Sequence, residues 1–309
     1  MKKLLAFAVI LLFSVVLFTG CIGGGGTGGD TPRNNIVLLT GMFSEITILI
    51  HMAGHLITEH TDLTVTFHDS MATVPAATAL ERGQVDLFVG YDGTMLTTLL
   101  GYDPSDVPPG ELLFDWAVAR GEEERGLTLI GKFGFDNTYV LAVHQEFANE
   151  HNLRTVSDLI PFAPDLIFGA EHEFFDIEGT MRFIPFNEHY GLQWRNGISM
   201  DIGLKYAAMD ANNIDVTMVY STDGLNQRFN LFLLEDDLAF FPEYNASFQT
   251  RATLFEEFAE TAPNLEEVLS KLNGMINTES MIGLNYAVDV LNQDISEVAR
   301  QFLIDNGLL

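Results

Sequence analysis

The chain has 309 residues, and 43 acidic against 15 basic side chains give it a formal net charge of −28 at neutral pH. Because binding to nucleic acid needs a basic face, this charge excludes DNA and RNA as partners. The single cysteine excludes an internal disulfide, and the acidity fits either a soluble surface or a saline habitat in which salt screens charge repulsion.

The first 34 residues predict export and attachment to a membrane. Two lysines precede an apolar run over residues 4–18, and a Thr-Gly pair is followed by Cys21, which is the order of a secretory signal. We expect residues 1–20 to be a lipoprotein signal peptide, Cys21 to carry the lipid, and the glycine-rich residues 21–34 to form a flexible tether. The alternative is a plain cleaved signal with an incidental cysteine.

Beyond this tether, short β-rich runs alternate with helical stretches. The predicted strands are residues 35–39, 63–67, 85–89, 140–143, 166–169 and 216–220. The predicted helices are residues 44–59, 73–81, 180–190, 202–211, 254–260, 265–275, 280–291 and 295–306. Ser44 is a plausible N-cap of the first of these helices. The alternation predicts α/β lobes, in which ligands bind beyond the carboxyl ends of the strands.

Signals of enzymatic activity are weak, and we predict no catalytic residue and no cofactor. The chain lacks a nucleophile elbow, a phosphate-binding loop and paired cysteines. His51 and His55 lie one helical turn apart and could ligate a metal, but two surface or groove histidines are the commoner explanation. The string Glu171-His172-Glu173 reads as an acid/base cluster or, preferably, as an exposed turn, and residues 121–125 read as a solvated acidic face.

Four tyrosines lie in turn-prone strings that are spread over more than half of the chain: Tyr91, Tyr139, Tyr220 and Tyr244. Individually, each is best explained as an amphipathic residue near a strand end. Brought together by a fold, they would form an aromatic box. The faces of such rings attract a methylated ammonium group, which has no hydrogen to donate, by about 0.5–2 kcal/mol each.

Several strings, in this order along the chain, resemble the glycine betaine/carnitine/choline-binding family, the substrate-binding proteins of osmoprotectant ABC importers. They are Phe43-Ser44-Glu45, Gly90-Tyr91-Asp92-Gly93-Thr94, Asn137-Thr138-Tyr139, Phe168-Gly169-Ala170-Glu171, Ser199-Met200-Asp201, Tyr220-Ser221-Thr222-Asp223-Gly224, Leu234-Glu235-Asp236-Asp237, Phe241-Pro242 and Asn285-Tyr286-Ala287-Val288-Asp289. The resemblance covers residues 36–309. It implies a type II-like periplasmic-binding fold that closes on its ligand without catalysis.

The resemblance also implies the organisation of the chain and its site. One lobe comprises residues 35–137 plus 243–309, and the other comprises residues 138–242. The family's cage positions coincide with the four tyrosines, and Thr94, Asn137 and Ser44 join them as candidate ligand contacts. The implied partners are a quaternary amine and an ABC permease, with a monomeric chain attached by lipid to the outer face of the membrane or in the periplasm.

Three departures from the family pattern bear on the ligand. Gly41 stands where betaine binders have a lysine, and Ile177 lies nearest to the place of their arginine. Asp92 replaces a residue that is usually neutral beside a cage tyrosine, and it is a further candidate contact. Losing two cations would weaken binding of a carboxylate by two or more decades, at roughly 1.5–3 kcal/mol for each charge-assisted hydrogen bond. We therefore expect choline to be preferred over glycine betaine.

Other interpretations remain open. Arg182 or Arg195 could replace the lost cations, in which case the ligand is glycine betaine or carnitine. The protein could also be a ligand-sensing receptor lobe rather than a component of an importer. A lipid-anchored enzyme is a third class, with Asp92 or Asp136 as its acid or base.

Overall fold

The structure is a computed structural model that describes residues 33–175 and 181–309. The signal peptide, Cys21, most of the tether and Ile177 lie outside the described residues. The strands are β1 (Asn35–Leu39), β2 (Thr64–His68), β3 (Phe88–Tyr91), β4 (Leu127–Ile130), β5 (Tyr139–His144), β6 (Ile167–Glu171), β7 (Asn196–Met200), β8 (Val216–Tyr220), β9 (Leu231–Leu233) and β10 (Ala246–Arg251).

The α-helices are α1 (Ser44–His60), α2 (Thr73–Glu81), α3 (Asp92–Thr94), α4 (Leu113–Arg125), α5 (Gln145–His151), α6 (Phe183–Tyr190), α7 (Lys205–Asp210), α8 (Gly224–Arg228), α9 (Leu254–Glu257), α10 (Leu265–Ser270), α11 (Thr278–Asp289) and α12 (Ile295–Asp305). A π-helical turn covers Met95–Leu100, and 3₁₀ turns cover Pro104–Asp106, Ser157–Leu159, Ala163–Asp165, His172–Phe175 and Ile202–Leu204. Within the described ranges, no helix is both long enough and apolar enough to cross a membrane.

The strands form two groups that come from different parts of the sequence. In the first, β1 and β2 pair in parallel, and β10 pairs antiparallel with both β3 and β4. A parallel bridge between Leu38 and Leu87 connects the two pieces. The second group is one mixed sheet in the order β7-β6-β8-β5-β9. The lobe boundaries proposed at residues 137/138 and 242/243 fall between these groups and stay a prediction.

Helix α1 forms the centre of the first lobe because nearly all of its apolar side chains are buried. Ile48, Leu49, Met52 and Leu56 are fully buried against the core. Helices of this kind owe their stability mainly to such packing. The N-cap of α1 is Phe43, which makes no side-chain cap, and Ser44 is the first helical residue. The prediction of Ser44 as N-cap is therefore wrong.

An aromatic core fills the second lobe and reaches the base of the site. Phe168, Phe174 and Phe186 are completely buried. The ring of Phe174 lies 5.7 Å from that of Tyr139, and Phe241 lies at the same distance from Tyr139 on another side. These contacts hold Tyr139 in place at the beginning of β5, so the packed core of the lobe orients a predicted site residue.

Two chain segments cross between the strand groups side by side. A bridge joins Asp136 to Asn245, and the backbone N–H of Asn137 donates to the carbonyl of Tyr244 at 3.0 Å. The carboxylate of Asp136 accepts from the backbone N–H of Tyr244 at 2.7 Å. These bonds join the two crossing segments to each other. The distance between the two segments is therefore fixed where they pass from one strand group to the other.

Candidate functional site

One cavity of about 590 Å³ brings together seven of the eight residues that the sequence predicts to bind ligand. This volume lies within the range of small-molecule sites, roughly 300–1,000 Å³. The predicted residues that line it are Ser44, Tyr91, Thr94, Asn137, Tyr139, Tyr220 and Tyr244. Both strand groups contribute side chains to its wall.

Strand ends place three of the four tyrosines. Tyr91 is the last residue of β3, Tyr139 the first of β5 and Tyr220 the last of β8. Tyr244 lies in the second crossing, two residues before β10 begins. Ligands of α/β folds bind beyond the ends of strands, and all four rings lie at such ends or next to one, so they reach a common cavity from separate positions in the sequence.

Tyrosine is already neutral at physiological pH, and in all four tyrosines burial extends this neutral range to higher pH. Burial is the largest cause that raises the pKa of Tyr91, Tyr139, Tyr220 and Tyr244 above the ordinary value near 10. A neutral phenol ring presents the negative face of its quadrupole to a cation without adding a full charge. The cavity therefore offers ring faces and polar hydroxyl edges at any physiological pH.

The glycine that follows Asp92 allows the Tyr244 ring to pack closely. A Cβ atom at Gly93 would lie 2.6–2.8 Å from ring atoms of Tyr244, which is closer than real contacts allow. The Gly90-Tyr91-Asp92-Gly93-Thr94 string thus supplies two predicted ligand contacts, Tyr91 and Thr94, and also the space for Tyr244.

Asp92 does not line the cavity, which corrects the expectation that it faces the ligand. It is completely buried, and its carboxylate accepts from the backbone and side-chain N–H groups of Asn245, both at 2.8 Å, and from the backbone of Gly93 at 2.7 Å. Burial raises the pKa of Asp92 to about 6, although these hydrogen bonds act in the opposite direction. Asp92 connects the loop after β3 to the second crossing.

Glu45 is a site residue that the sequence reasoning missed. It is only 4% exposed and lines the cavity. Its Oε1 accepts from the Tyr91 hydroxyl at 2.5 Å and from Asn137 Nδ2 at 2.9 Å, and its Oε2 accepts from Asn285 Nδ2 at 3.1 Å. The family-like string Phe43-Ser44-Glu45 was a signal that could have identified it. Next to it, Ser44 donates to Asp289 at the rim.

Arg182 is a cation in the cavity wall. Its Nη1 donates to the carbonyl of Met181 at 3.1 Å, and its Nε is buried without a hydrogen-bond partner in the described structure. Its charge lowers the pKa of Tyr220 and of Tyr244, against the larger effect of burial. Arg195 is exposed and does not line the cavity. Of the two arginines considered from the sequence, only Arg182 reaches the site.

Gly41, where the family resemblance places a lysine, directly precedes the lining residue Met42. It does not line the cavity, and its backbone N–H donates to the Thr47 hydroxyl at 3.2 Å. A Cβ atom at position 41 would lie 2.3 Å from the Cβ of Ile46. A lysine could not be accommodated here without moving this loop, so the departure at Gly41 involves the local backbone as well as the lost charge.

A buried ion pair lies beside the ring of Tyr220. Lys205 Nζ contacts Glu171 Oε2 at 3.0 Å, and both side chains are almost completely buried. The same ammonium lies 5.3 Å from the centre of the Tyr220 ring. The expectation of an exposed turn is therefore wrong for Glu171, whereas the neighbouring His172 is exposed and pairs with Asp201.

The two histidines considered as metal ligands have other contacts. His51 stacks on Phe67, with ring centroids 4.5 Å apart. His55 Nε2 lies 3.1 Å from both the carbonyl and the hydroxyl oxygen of Ser296. The residues that the structure describes contain no group of three or more acidic, histidine or cysteine side chains able to hold a metal ion.

The family profile of the substrate-binding domain of ABC-type glycine betaine transport systems matches residues 34–305. The chain belongs to this family. It is 36% identical to the carnitine transport binding protein OpuCC of Listeria monocytogenes over 99% of this chain and 97% of that protein. It is 31% identical to a glycine-betaine-binding protein of Pseudomonas aeruginosa over 80% of each chain.

The fold comparison agrees with this assignment. The crystal structure of a glycine betaine/carnitine/choline ABC transporter protein matches with a TM-score of 0.80 and 29% identity, over 89% of this chain and 99% of that one. The predicted α/β, two-lobed fold and the resemblance to this family are therefore confirmed. Family members are substrate-binding proteins of transporters rather than enzymes, which agrees with the weak catalytic signals in the sequence.

Proposed function

We propose that this chain captures a quaternary ammonium solute between its lobes and delivers it to an ABC permease. The convergence of Tyr91, Tyr139, Tyr220 and Tyr244 on one cavity supports this proposal most strongly. A trimethylammonium group would lie against their ring faces, and Thr94 and Asn137 would be polar contacts of the ligand. Each desolvated ring face contributes up to about 2 kcal/mol to the attraction of a cation.

The preferred ligand in this proposal is a trimethylammonium carboxylate of the carnitine or glycine betaine class. Arg182 supports this choice, since it lines the cavity and carries a full positive charge. Arginine pairs with a carboxylate through charge-assisted hydrogen bonds. The choline preference inferred from Gly41 and Ile177 assumed that no other cation enters the site, and Arg182 removes that assumption. Choline is the second candidate, favoured by the buried negative charge of Glu45.

Closure of the lobes would complete the site. Tyr91 and Glu45 come from the first strand group and its helix α1, whereas Tyr139, Tyr220 and Arg182 come from the second part of the chain. A ligand that contacts both sets only when they are close together stabilises the closed state by its differential affinity. Micromolar affinity, about −8 kcal/mol, is the expected scale.

The proposed cellular context follows from the N-terminal sequence. Lipidation at Cys21 would hold the monomeric chain at the outer side of the membrane, and the glycine-rich residues 21–34 would let it reach the permease. A single-chain acyl anchor binds membranes only weakly, so more than one acyl chain is expected on this cysteine.

Calorimetric titration tests the proposal. Residues 21–309 carrying Cys21→Ser would be titrated with carnitine, glycine betaine and choline in turn, at low and molar salt. Tighter binding of either carboxylate than of choline is the expected result. Tighter binding of choline would retain the cage but contradict the role of Arg182, and no binding of any of the three would overturn the quaternary ammonium assignment.

A further inference from the structure

Three hydrogen-bond donors from separate parts of the chain converge on Glu45. The Tyr91 hydroxyl, Asn137 Nδ2 and Asn285 Nδ2 all lie within 3.1 Å of its carboxylate oxygens. Glu45 lies in the first turn of α1 and is 4% exposed, and the part of its surface that remains open faces the cavity. An ionised carboxylate only accepts hydrogen bonds, so three convergent donors are the arrangement that the charged form requires.

The two asparagines that donate to Glu45 each leave a hydrogen-bond acceptor unpaired. Because both amide nitrogens face Glu45, both amide oxygens point elsewhere, and Asn137 Oδ1 and Asn285 Oδ1 are buried without a hydrogen-bond partner in the described structure. Buried acceptors are normally paired, and each unpaired one is unfavourable. Both amides direct their donors to the Glu45 carboxylate although this leaves their own oxygens unpaired. This arrangement indicates a function for the negative charge at this position.

We propose that Glu45 determines specificity, because its charge, held at the cavity wall beside Tyr91, selects a positively charged head group over a neutral one of the same shape. This inference rests on the proposed function, since it assumes that the trimethylammonium group occupies the tyrosine-lined cavity. Dispersion attracts a tert-butyl group and a trimethylammonium group similarly, and the ring faces add a cation–π attraction for the trimethylammonium group. A nearby buried carboxylate attracts only the cation, and the low local dielectric strengthens that attraction.

The other charged residues in the wall are arranged differently. Asp223 caps α8 through the Leu225 N–H and also accepts from the Tyr206 hydroxyl. Asp289 accepts from Ser44 at the exposed rim, where solvent screens its charge. Arg182 carries the opposite charge and, against the larger effect of burial, lowers the pKa of Tyr220 and Tyr244. Glu45, in contrast, adds to burial in raising the pKa of Tyr91. Among the charged residues that line the cavity, Glu45 is therefore the buried anion that accepts from a predicted cage tyrosine. Glu171, which adds to burial in raising the pKa of Tyr139, lies outside the lining and pairs with Lys205.

A matched pair of ligands isolates the charge. Choline and 3,3-dimethyl-1-butanol differ in one atom, nitrogen against carbon, and hence in a full positive charge at nearly constant shape. Their affinities would be measured for residues 21–309 with Cys21→Ser, by calorimetry for choline and by ligand-observed NMR for the alcohol. In this background we expect choline to bind at least about 100-fold more tightly than the alcohol.

The variant Glu45→Gln keeps the side-chain shape and removes the charge. Its choline-to-alcohol affinity ratio is expected to fall at least about tenfold, while binding of the neutral alcohol is kept or improved. Glu59→Gln is the control, because Glu59 is exposed on the same helix and its replacement changes the net charge equally. Equal ratios in the Glu45→Gln and control proteins would overturn the role of Glu45.

A second variant keeps the test valid if Glu45→Gln does not fold. Asn285→Leu removes one of the three donors that favour the charged form of Glu45, so the affinity ratio should fall, but by less than in a variant without the charge, and an unchanged or higher ratio would contradict the proposal. A Cys21→Ser protein that binds choline with a ratio below about 10 would also overturn it while leaving the tyrosine site standing. Absence of choline binding would overturn the proposed function together with this inference.

Discussion

Tyr139 and Tyr220 stack on each other, with ring centroids 5.0 Å apart and ring planes inclined by 19°. They are directly opposite in the antiparallel pairing of β5 with β8, so the sheet register itself creates the stack. A ring face that is covered by the neighbouring ring is closed to a ligand. The two tyrosines therefore form one double-layered wall rather than the two separate walls of a simple box.

We expect Tyr139→Ala and Tyr220→Ala each to weaken binding of a quaternary ammonium ligand by about tenfold to 100-fold. Because the rings support each other, the double variant should lose less than the sum of the two single losses. Calorimetric titration of the three variants with carnitine and choline measures this coupling. Strictly additive losses would mean that the two rings contact the ligand independently.

The control for this series is Tyr102→Ala. Tyr102 lies outside the cavity, and its hydroxyl donates to Glu124 at an exposed site, so its removal should leave ligand affinity unchanged. Tyr206 would be unsuitable as a control. It is buried, and its hydroxyl donates to Asp223, which lines the cavity.

Arg182→Gln separates ligands that carry a carboxylate from those that do not. Loss of one charge-assisted hydrogen-bonding group should weaken carnitine and glycine betaine by about tenfold to 100-fold and leave choline nearly unchanged. Arg195→Gln provides the matched control, since that arginine is exposed and away from the cavity. An equal loss for all three ligands in Arg182→Gln would indicate damage to the fold rather than loss of a carboxylate contact.

Gly224 permits close packing between the two parts of the chain. A Cβ atom at this position in α8 would lie 2.6 Å from the backbone nitrogen of Tyr286 in α11. We expect Gly224→Ala to separate these helices, disfavour the closed state and weaken binding of every ligand by a similar factor. Gly283→Ala, in α11 and facing open space, is the control. Small-angle X-ray scattering with and without ligand would show whether closure is impaired, and unimpaired closure would contradict this explanation.

The buried pair of Lys205 with Glu171 should be costly to break from one side. Lys205→Met leaves a buried carboxylate without its partner, and we expect it to lower the free energy of unfolding by about 3–5 kcal/mol. Adding Glu171→Gln removes the stranded charge and should recover a large part of that loss. Urea unfolding measures both. The exposed pair formed by His172 and Asp201 offers a comparison, because Asp201→Asn should change the stability by less than about 1 kcal/mol.

The raised pKa of Asp92 implies that the free energy of unfolding depends on pH. Its folded-state pKa of about 6 lies above the unfolded value near 3.9, so the folded chain binds more protons between these two pH values. Stability from this group is therefore greatest below about pH 4 and falls as the pH rises through 6. The free energy of unfolding of Asp92→Asn minus that of the unmodified chain should increase by about 2 kcal/mol from pH 4 to pH 7.

Denaturant unfolding at several pH values checks this expectation. The difference between the two proteins must change with pH, whatever its absolute value, because the amide that replaces the Asp92 carboxyl cannot titrate. A difference that is constant from pH 4 to pH 7 would show that the carboxyl of Asp92 titrates alike in the folded and unfolded chains.

Several elements could be predicted from the sequence because their patterns are local. The strands at Asn35–Leu39 and Val216–Tyr220 and the helix at Thr73–Glu81 have the predicted bounds. β10 was missed, since its buried residues include Ser247, Gln249 and Thr250. Their polar groups find partners only in the fold, as when the Thr250 hydroxyl donates to the Asp86 carbonyl at 2.7 Å.

Helix α4 was missed for a related reason. The run at residues 121–125 was interpreted as a solvated acidic face, and three consecutive glutamates in it are indeed exposed. Gly121, however, is buried, and a Cβ there would lie 2.8 Å from the Leu127 carbonyl. An acidic surface and a packed glycine can belong to one helix, but only the neighbouring strand shows which side is buried.

By itself, the sequence was enough to identify the family, the α/β organisation and the four tyrosines as candidate site residues. Strand and helix periodicity and short family-like strings are properties of neighbouring residues and can be read without the fold. The tertiary structure decided which charges enter the cavity. The donors to Glu45 are 46, 92 and 240 positions away, whereas Asp92 finds its partner 153 positions away and turns from the site. Burial and hydrogen bonding across such separations depend on the packed fold. The carboxylates of Glu45 and Asp92 are chemically similar, and only the folded chain places the first in the cavity wall and the second away from it.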